Sequence, residues 1–525
     1  MIHQYRNFLF LLASILPAQT YDLLLRGGHV IDPANGVTAV RDVAITGNTI
    51  ARVAADIPVA EAKKVIELRG QYVVPGLIDL HMHVFGYSGA LDPDEAAFPT
   101  GATTIVDAGG AGYRTFDNFK RTVIDKAATR VLALVNIAGN GMIGSASEDN
   151  VADMLPDKTA EVIRRYPDQI VGIKVAHFGH PGWDALKRAV EAGRLANVPI
   201  MVDDKIFTNA GRTSREKLLD VMRPGDMHTH MYNDRQVEIV SRFNGKVEEY
   251  AIEARRRGVL FDLGHGGGSF LWPVAVAAAR QGFWPDTIST DLHTSSILGA
   301  QSDMPNCMSK MMLLGMTLDE AVRRSTEAPA RAIRRFPEIG TLGQGRVADI
   351  AVLNLREGVF AFKDAWGKKM LGQKRLECVL TVRNGRVVYQ RELPQATSAQ
   401  PVYDLLIRAS SGDLAIAGGK IARTGSGISA ASARQVIDAT GYQVKPGLTA
   451  PVTAKNRQYY AYTHGITTIA PSRPAADLRE GAPADVTLWA GERCILTVHN
   501  GRVVWDAEGL AAMDSRLTGP YSNFK

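Results

Sequence analysis

The chain has 525 residues, 46% hydrophobic and 22% charged, a usage typical of globular proteins that excludes wholesale disorder. At roughly 150 residues per domain this length allows about three compact units, one of which could be a barrel of about 250 residues. Sixty basic against fifty-four acidic side chains leave a net charge of +6 with no dense Lys/Arg run, which argues against nucleic acid as a partner; Cys307, Cys378 and Cys494 are too scattered for a disulfide framework or a C-x-x-C metal motif.

At the N-terminus, Met1–Arg6 carries a basic residue, Asn7–Leu16 is largely apolar and Pro17-Ala18-Gln19 offers a small residue for cleavage. This is the layout of a secretory signal peptide over residues 1–18, so export to the periplasm is expected, with the cytoplasm as the alternative. No later apolar run reaches the roughly 20 residues of a membrane span. Short β-rich runs broken by turn signals follow at Asp22–Arg26, His29–Ile31, Asp42–Thr46, Thr49–Val53, Lys64–Glu67 and Tyr72–Val74, an all-β unit.

From Gly76 the pattern changes to β-rich runs alternating with amphipathic helical stretches, which predicts βα units around a parallel sheet. The runs are Leu77–His83, Thr103–Asp107, Arg130–Ile137, Ile170–His177, Pro199–Asp203, Asp226–Met231, Val259–Leu263 and Thr287–Thr290, with helices predicted between them, such as Trp183–Ala196 and Glu248–Arg257. Eight such units make a closed (β/α)8 barrel. After a helix predicted over Leu318–Phe336, β patterning resumes at Asp349–Leu353 and Glu377–Val388. The expected fold is α/β: a (β/α)8 TIM barrel over residues 76–336 and a composite β-sandwich domain from both flanks, residues 21–75 and 337–393.

Beyond a polar linker at Pro394–Gln400 the chain repeats itself. Asp413–Leu448 matches Asp42–Leu77 without a gap at about half its positions, including Pro446-Gly447-Leu448 against Pro75-Gly76-Leu77. Gly465–Ile469 then matches Gly101–Ile105, and Thr497–Val504 matches Thr381–Val388. Residues 401–525 thus read as a C-terminal degenerate duplicate of the β-sandwich domain that lacks the barrel. Where the first copy runs on into His81 and His83, the second continues Leu448-Thr449-Ala450-Pro451-Val452 without the histidines, so the tail is expected to serve packing or assembly, with a homo-oligomer as one outcome.

Candidate chemistry gathers at the carboxyl ends of the barrel runs, where βα loops converge. His81 and His83 are two apart on a strand, so both rings point to one face and can chelate one ion. Lys174 stands in an apolar run, His230 ends the sixth run and Asp291 the eighth. A lone lysine there is more often a snorkelling surface residue, and a lone histidine or aspartate a cap. Together, in barrel order, they make a ligand set. His265 lies inside Gly264–Gly268, where glycines let backbone approach a ligand, and is a candidate substrate contact. His177 and His293 flank ligand positions and are further substrate-binding candidates.

With these residues in place the sequence resembles the amidohydrolase superfamily, and more closely its dihydroorotase-like branch of amidohydrolase/deacetylase metallohydrolases, over about residues 21–393. The marks are Pro75–His83, Gly172-Ile173-Lys174, Pro224-Gly225-Asp226 with Thr229-His230, Phe261–Gly266, Ser289-Thr290-Asp291, and Gly345 with Ala348-Asp349. The resemblance implies two divalent metal ions, usually Zn2+. His81, His83 and Asp291 would bind one and His230 the other, with a carbamate on Lys174 bridging both. A lysine amine, pKa about 10.4, must lose its proton to take up carbon dioxide, and the resulting carbamate is an anionic ligand suited to two cations.

Two departures from the family pattern stand out. The fifth strand ends in Asp203, where the family carries a histidine ligand, and a carboxylate can still bind zinc at about 2.0–2.2 Å. Ala176 occupies a position where relatives often have arginine, so substrate preference does not transfer.

The implied function is a metallohydrolase using metal-bound hydroxide on the C–N amide or acetyl-ester bond of a small acylated substrate, with Asp291 as catalytic base. The alternatives are a cyclic amide hydrolase of dihydroorotase type and a catalytically silent barrel scaffold.

Overall fold

The first strand, β1 (Leu23–Asp32), carries Gly27 and Gly28 at its centre, and they decide its partners. A computed structural model, which describes residues 20–180, 182–203, 215–233, 239–391, 403–450, 466–469, 477–508 and 510–511, shows a register break there. Gly27 takes a left-handed φ of 70°, and a Cβ on Gly28 would stand 2.4 Å from Val73. Before the break β1 pairs in parallel with β4 (Val65–Glu67), and after it with β5 (Tyr72–Pro75). Its other edge runs antiparallel to β2 (Val37–Thr46), which pairs with β3 (Thr49–Ala54). The proposed leader and the linker Pro394–Gln400 lie outside the described residues.

The barrel follows without a pause. Parallel strands β6 (Leu77–Met82), β7 (Ala102–Gly112), β8 (Arg130–Asn136), β9 (Ile170–Val175), β10 (Ile200–Val202), β11 (Met227–His228) and β12 (Leu260–Phe261) lie side by side in chain order. Helices such as Asp184–Leu195 and Glu249–Arg256 connect them. Ile78, Leu80, Val106, Leu132, Leu134, Val171, Met201 and Met227 form one apolar cluster, closed by Ala330, Ile333 and Ile339, so the barrel is a packed core and not a pore.

Two predicted elements are corrected. Thr287–Thr290 forms only an isolated bridge, because its backbone amides are claimed elsewhere, Ile288 N by the Arg324 carbonyl and Thr290 N by the Asp79 carboxylate. Thr287 and Ser289 donate hydroxyl protons to Asp262, and Thr290 donates to Asp79. The segment still closes the ring: Leu263 N donates to Thr287 O at 3.0 Å and His83 N to Leu292 O at 3.1 Å. The helix predicted over Leu318–Phe336 is two short ones, Leu318–Arg323 and Glu327–Ala332. The carbonyls of Arg324 and Ser325 between them accept the amides of Ile288 and Ile78 at the base of the barrel.

After the barrel the chain returns to the first sheet. β13 (Ile350–Lys363) pairs antiparallel with β5 and with β14 (Lys369–Arg383), and β15 (Arg386–Gln390) forms the edge. Eight strands thus form one continuous mixed sheet that wraps its own core of Leu25, Val43, Ile45, Val73, Ile350 and Leu380. Asp349 ties this sheet to the barrel by accepting from Arg130 at 2.6 Å and Arg383 at 3.1 Å.

The tail reproduces this topology in pieces. One sheet orders β18 (Lys420–Gly425), β17 (Asp413–Ala417), β16 (Leu405–Arg408) and β19 (Val436–Asp438), matching β3-β2-β1-β4. A second orders β20 (Gln443–Pro446), β23 (Val486–Ala490), β24 (Arg493–His499) and β25 (Arg502–Asp506), matching β5-β13-β14-β15. Between them, β21 (Leu448–Ala450) and β22 (Ile466–Ile469) pair in parallel, Leu448 with Ile466 and Thr449 with Thr468. That is the register of Leu77 with Ala102 and Ile78 with Thr104, so the tail keeps a stump of the first two barrel strands.

Candidate metal centre

The site starts at the end of β6, where alternate residues Asp79, His81 and His83 leave an apolar strand. Asp79 is buried and accepts from the amides of His81 and Thr290; burial pushes its pKa up to about 7. His81 Nδ1 lies 3.1 Å from Thr229 Oγ1, and that hydroxyl donates its own proton to Asp262 at 2.7 Å. The oxygen must therefore accept from His81, which puts the ring proton on Nδ1 and leaves the Nε2 lone pair facing the site.

Asp291 completes this group. His83 Nε2 and His81 Nε2 lie 2.9 and 3.5 Å from Asp291 Oδ1. Burial alone would raise the Asp291 pKa, but His81, His83 and His230 outweigh it and hold the carboxyl below the ordinary range. Asp291 has a left-handed φ of 48° and His230 one of 61°, an uncommon conformation outside glycine that costs about 1–3 kcal/mol and clusters at functional sites. Gly266 and Gly264 explain how the chain turns here: a Cβ on Gly264 would stand 2.1 Å from Thr229 Oγ1 and 2.8 Å from His230 Nδ1.

Lys174, fully buried on β9, brings Nζ to 3.3 Å from His81 Nε2. Burial lowers its pKa, which favours the neutral amine. Its stem passes over Gly109, where a Cβ would meet Lys174 Cβ and Cγ at 2.7 Å. On its far side His230 holds Nδ1 at 2.6 Å from the Gly264 carbonyl, and Nε2 at 3.6 Å from Asp203 Oδ2. His177, just past β9, places Nε2 3.3 Å from the same oxygen and Nδ1 3.0 Å from Glu148 Oε1. Burial raises the pKa of Asp203, but His230 and His177 overcome it and hold the carboxyl well below its usual range.

These groups open on a cavity of about 280 Å3, lined among others by Tyr87, His177, Asp203, His230, Asp291 and His293. Tyr87 stacks on His83 at 4.4 Å between ring centroids, and Ser295 Oγ lies 2.8 Å from His293 Nδ1. One expected substrate contact is corrected. His265 is fully buried, with Nδ1 2.9 Å from its neighbour's carbonyl, Gly266 O, and Nε2 2.7 Å from Lys310 Nζ, and its ring stacks on Phe270. The glycines around it line the cavity instead, through Gly267 and Gly268. Tyr87, on a loop, Glu148, at the end of the four-residue helix Ser145–Glu148, and Ser295, in the first turn of the helix Thr294–Ala300, lie in segments too short to carry a periodic signal in the sequence. Thr229 and Asp262 stood inside quoted motifs with no role attached.

The donor set fits a divalent cation. His81, His83 and Asp291 offer two imidazoles and a carboxylate whose ligand atoms lie within 4.8 Å of one another. Asp203 Oδ1 is buried without a hydrogen-bond partner among the described residues, an arrangement that a bound ion or water relieves.

No protein-family model matches the chain. A deacetylase of Enterococcus faecalis is 30% identical over 379 residues, covering 70% of this chain and 99% of the relative. A deacetylase of Agrobacterium fabrum is 29% identical over 336 residues, 62% of this chain and 81% of the relative. Among solved structures, an adenine deaminase aligns with a TM-score of 0.65 at 29% identity, covering 71% of this chain and 100% of that one. A dihydroorotase aligns at 0.62 and 26%, covering 70% and 99%. Similarity running the whole length of such a relative, on a barrel whose strand ends converge on two histidines and an aspartate, leaves one conclusion: the chain belongs to the amidohydrolase superfamily.

Proposed function

We propose that the protein is a metal-dependent hydrolase that removes an acyl group, acetyl foremost, from the nitrogen or oxygen of a small substrate. The observation that carries this reading is the convergence of His81, His83 and Asp291 beside buried Lys174, at the floor of a small polar cavity. About 280 Å3 is at the lower end of small-molecule sites, which run from about 300 to 1,000 Å3, and matches a compact acylated molecule. The deacetylase relatives favour the acyl substrate over a cyclic amide.

His81, His83 and Asp291 would hold one ion; His230 and Asp203 would hold the other, and a carbamate on Lys174 would join them. Zn2+ suits the nitrogen-rich first group. When bound, such ions acidify water and polarise a carbonyl. Asp291, kept ionised by its histidines, accepts the proton of the attacking water and returns it to the leaving nitrogen or oxygen. Asp262 holds Thr229, and through it the orientation of His81. His293, buried at the wall of the cavity with burial lowering its pKa, is neutral near pH 7 and offers a hydrogen bond to the substrate. Export to the periplasm is part of the proposal and rests on the pattern of Met1–Ala18.

The test is turnover of metal-loaded protein on N-acetyl amino acids, acetylated hydroxy acids and cyclic amides side by side. Deacetylation of acyclic substrates is expected. Ring opening alone would move the assignment to the cyclic amide hydrolases, and no turnover at full metal occupancy would leave the silent scaffold.

A further inference from the structure

The described residues hold a second place where imidazoles converge on one carboxylate oxygen. His177 Nε2 lies 3.3 Å and His230 Nε2 3.6 Å from Asp203 Oδ2. His83 and His81 likewise face Asp291 Oδ1 at 2.9 and 3.5 Å; among the described residues only that group already has all its ligand atoms within 4.8 Å of one another, so an ion at Asp203 would draw His177 and His230 closer together. We propose that His177 is itself a metal ligand, completing with Asp203 and His230 a His-His-Asp site for a second divalent cation; this deepens the hydrolase reading and rests on it.

Three observations support the assignment. The first is the tautomer. A backbone carbonyl can only accept, so His230 Nδ1, 2.6 Å from Gly264 O, carries the proton. Glu148 Oε1, 3.0 Å from His177 Nδ1, holds that nitrogen as the donor in the same way, so in both rings Nε2, the atom that faces Asp203, is the one free to ligate an ion. A ring whose far nitrogen is held by a carboxylate or carbonyl is the usual arrangement for metal-bound histidine.

The second observation is Asp203 itself. Its Oδ1 is buried and has no hydrogen-bond partner among the described residues. An imidazolium at His177 reaches only Oδ2 and leaves Oδ1 stranded, whereas a cation held through both carboxylate oxygens would engage it as well. The third is placement. The His81 and His230 rings are 4.9 Å apart between centroids and Lys174 Nζ is 3.3 Å from His81 Nε2, so the two groups adjoin. Asp203, His177 and His230 all line the same cavity as Asp291, where a bound ion would be open to substrate. His177 reaches it from a left-handed turn, φ 50°, immediately past β9.

The experiment is Co2+ titration of metal-free protein, read by metal analysis and by the visible absorption of bound cobalt. Wild type is expected to take up two equivalents. His177→Ala should keep the first at normal affinity and weaken the second by about 100-fold or more. Glu148→Gln should weaken the second by about 10–100-fold, as loss of a partner behind a ligand does. His177→Cys should bind cobalt with a new thiolate-to-metal charge-transfer band in the near-ultraviolet. The native Cys307, Cys378 and Cys494 are buried and supply the baseline.

Uptake of both equivalents at wild-type affinity by His177→Ala would overturn the assignment. So would a folded, doubly loaded His177→Cys protein without the band, or a wild type that saturates at one equivalent while hydrolysing acyl substrates. Two equivalents in wild type with only the second weakened in His177→Ala, and no hydrolysis of any acyl substrate, would instead overturn the function proposed above and leave His177 as a ligand.

Discussion

Gly266 presses on Asp291 so closely that a Cβ at position 266 would stand 2.2 Å from Asp291 Oδ2. The Gly266 amide also donates to the carbonyl of Thr290 at 2.9 Å, and its φ is 54°, so both space and conformation require glycine. Gly266→Ala should push the Asp291 carboxylate off its histidines. The left-handed strain is about 1–2 kcal/mol, which a barrel of this size tolerates. Circular dichroism is expected to be unchanged while kcat falls by at least about 10-fold. Wild-type turnover would show that the loop yields without moving Asp291.

Lys174→Ala should remove most bound metal and activity, since the proposed carbamate is the one ligand common to both ions. In active wild-type protein the lysine should carry added carbon dioxide, visible as extra density in a crystal or as recovery of activity that depends on bicarbonate. A fully active, metal-replete crystal with an unmodified lysine contradicts the bridge.

Asp291→Asn should keep the fold and much of the metal, because an amide oxygen still coordinates but accepts no proton. Loss of a general base costs about 10²–10⁴-fold in kcat. Steady-state kinetics at matched metal content is the measurement, and near-normal turnover would take the base role from Asp291.

Asp349 joins the first sheet to the barrel through Arg130 at 2.6 Å and Arg383 at 3.1 Å. Its side chain is only 6% exposed, so Asp349→Ala strands two largely buried guanidinium groups. A loss of about 3–5 kcal/mol is expected from breaking such a pair, read as a lower urea midpoint. Activity per folded molecule should be preserved, as neither arginine lines the cavity.

Truncation after Leu393 should leave metal binding and turnover intact, because no described tail residue lines the cavity around Asp291. Solution mass or solubility is the quantity expected to change, since the tail has its own core of Leu405, Ile416, Val486 and Leu496 and removal alters what the first sheet meets. A soluble, metal-loaded but inactive truncate would show that the tail reaches the active site.

Local rules made much of this protein legible in one dimension. The change from period-two runs to βα alternation at Gly76 announced the barrel, because buried parallel strands and their covering helices each impose their own spacing. His81 and His83 could be assigned to one face because a strand repeats every two residues. The match of Asp413–Leu448 to Asp42–Leu77 exposed the duplication, and Leu448 with Ile466 repeats even the pairing of Leu77 with Ala102.

What escaped this reading depends on partners distant in the chain. His265 stands among glycines like a ligand-binding residue, yet Lys310, 45 positions later, and Phe270 draw it into the core. The helix expected over Leu318–Phe336 breaks because Ile78 and Ile288 claim the carbonyls of Ser325 and Arg324. Glu148, with no motif around it, acquires meaning when the turn at His177 brings an imidazole to its carboxylate. Periodicity records which face of an element is buried, whereas the aim of a polar side chain is set by donors and acceptors that only folding brings within 3 Å.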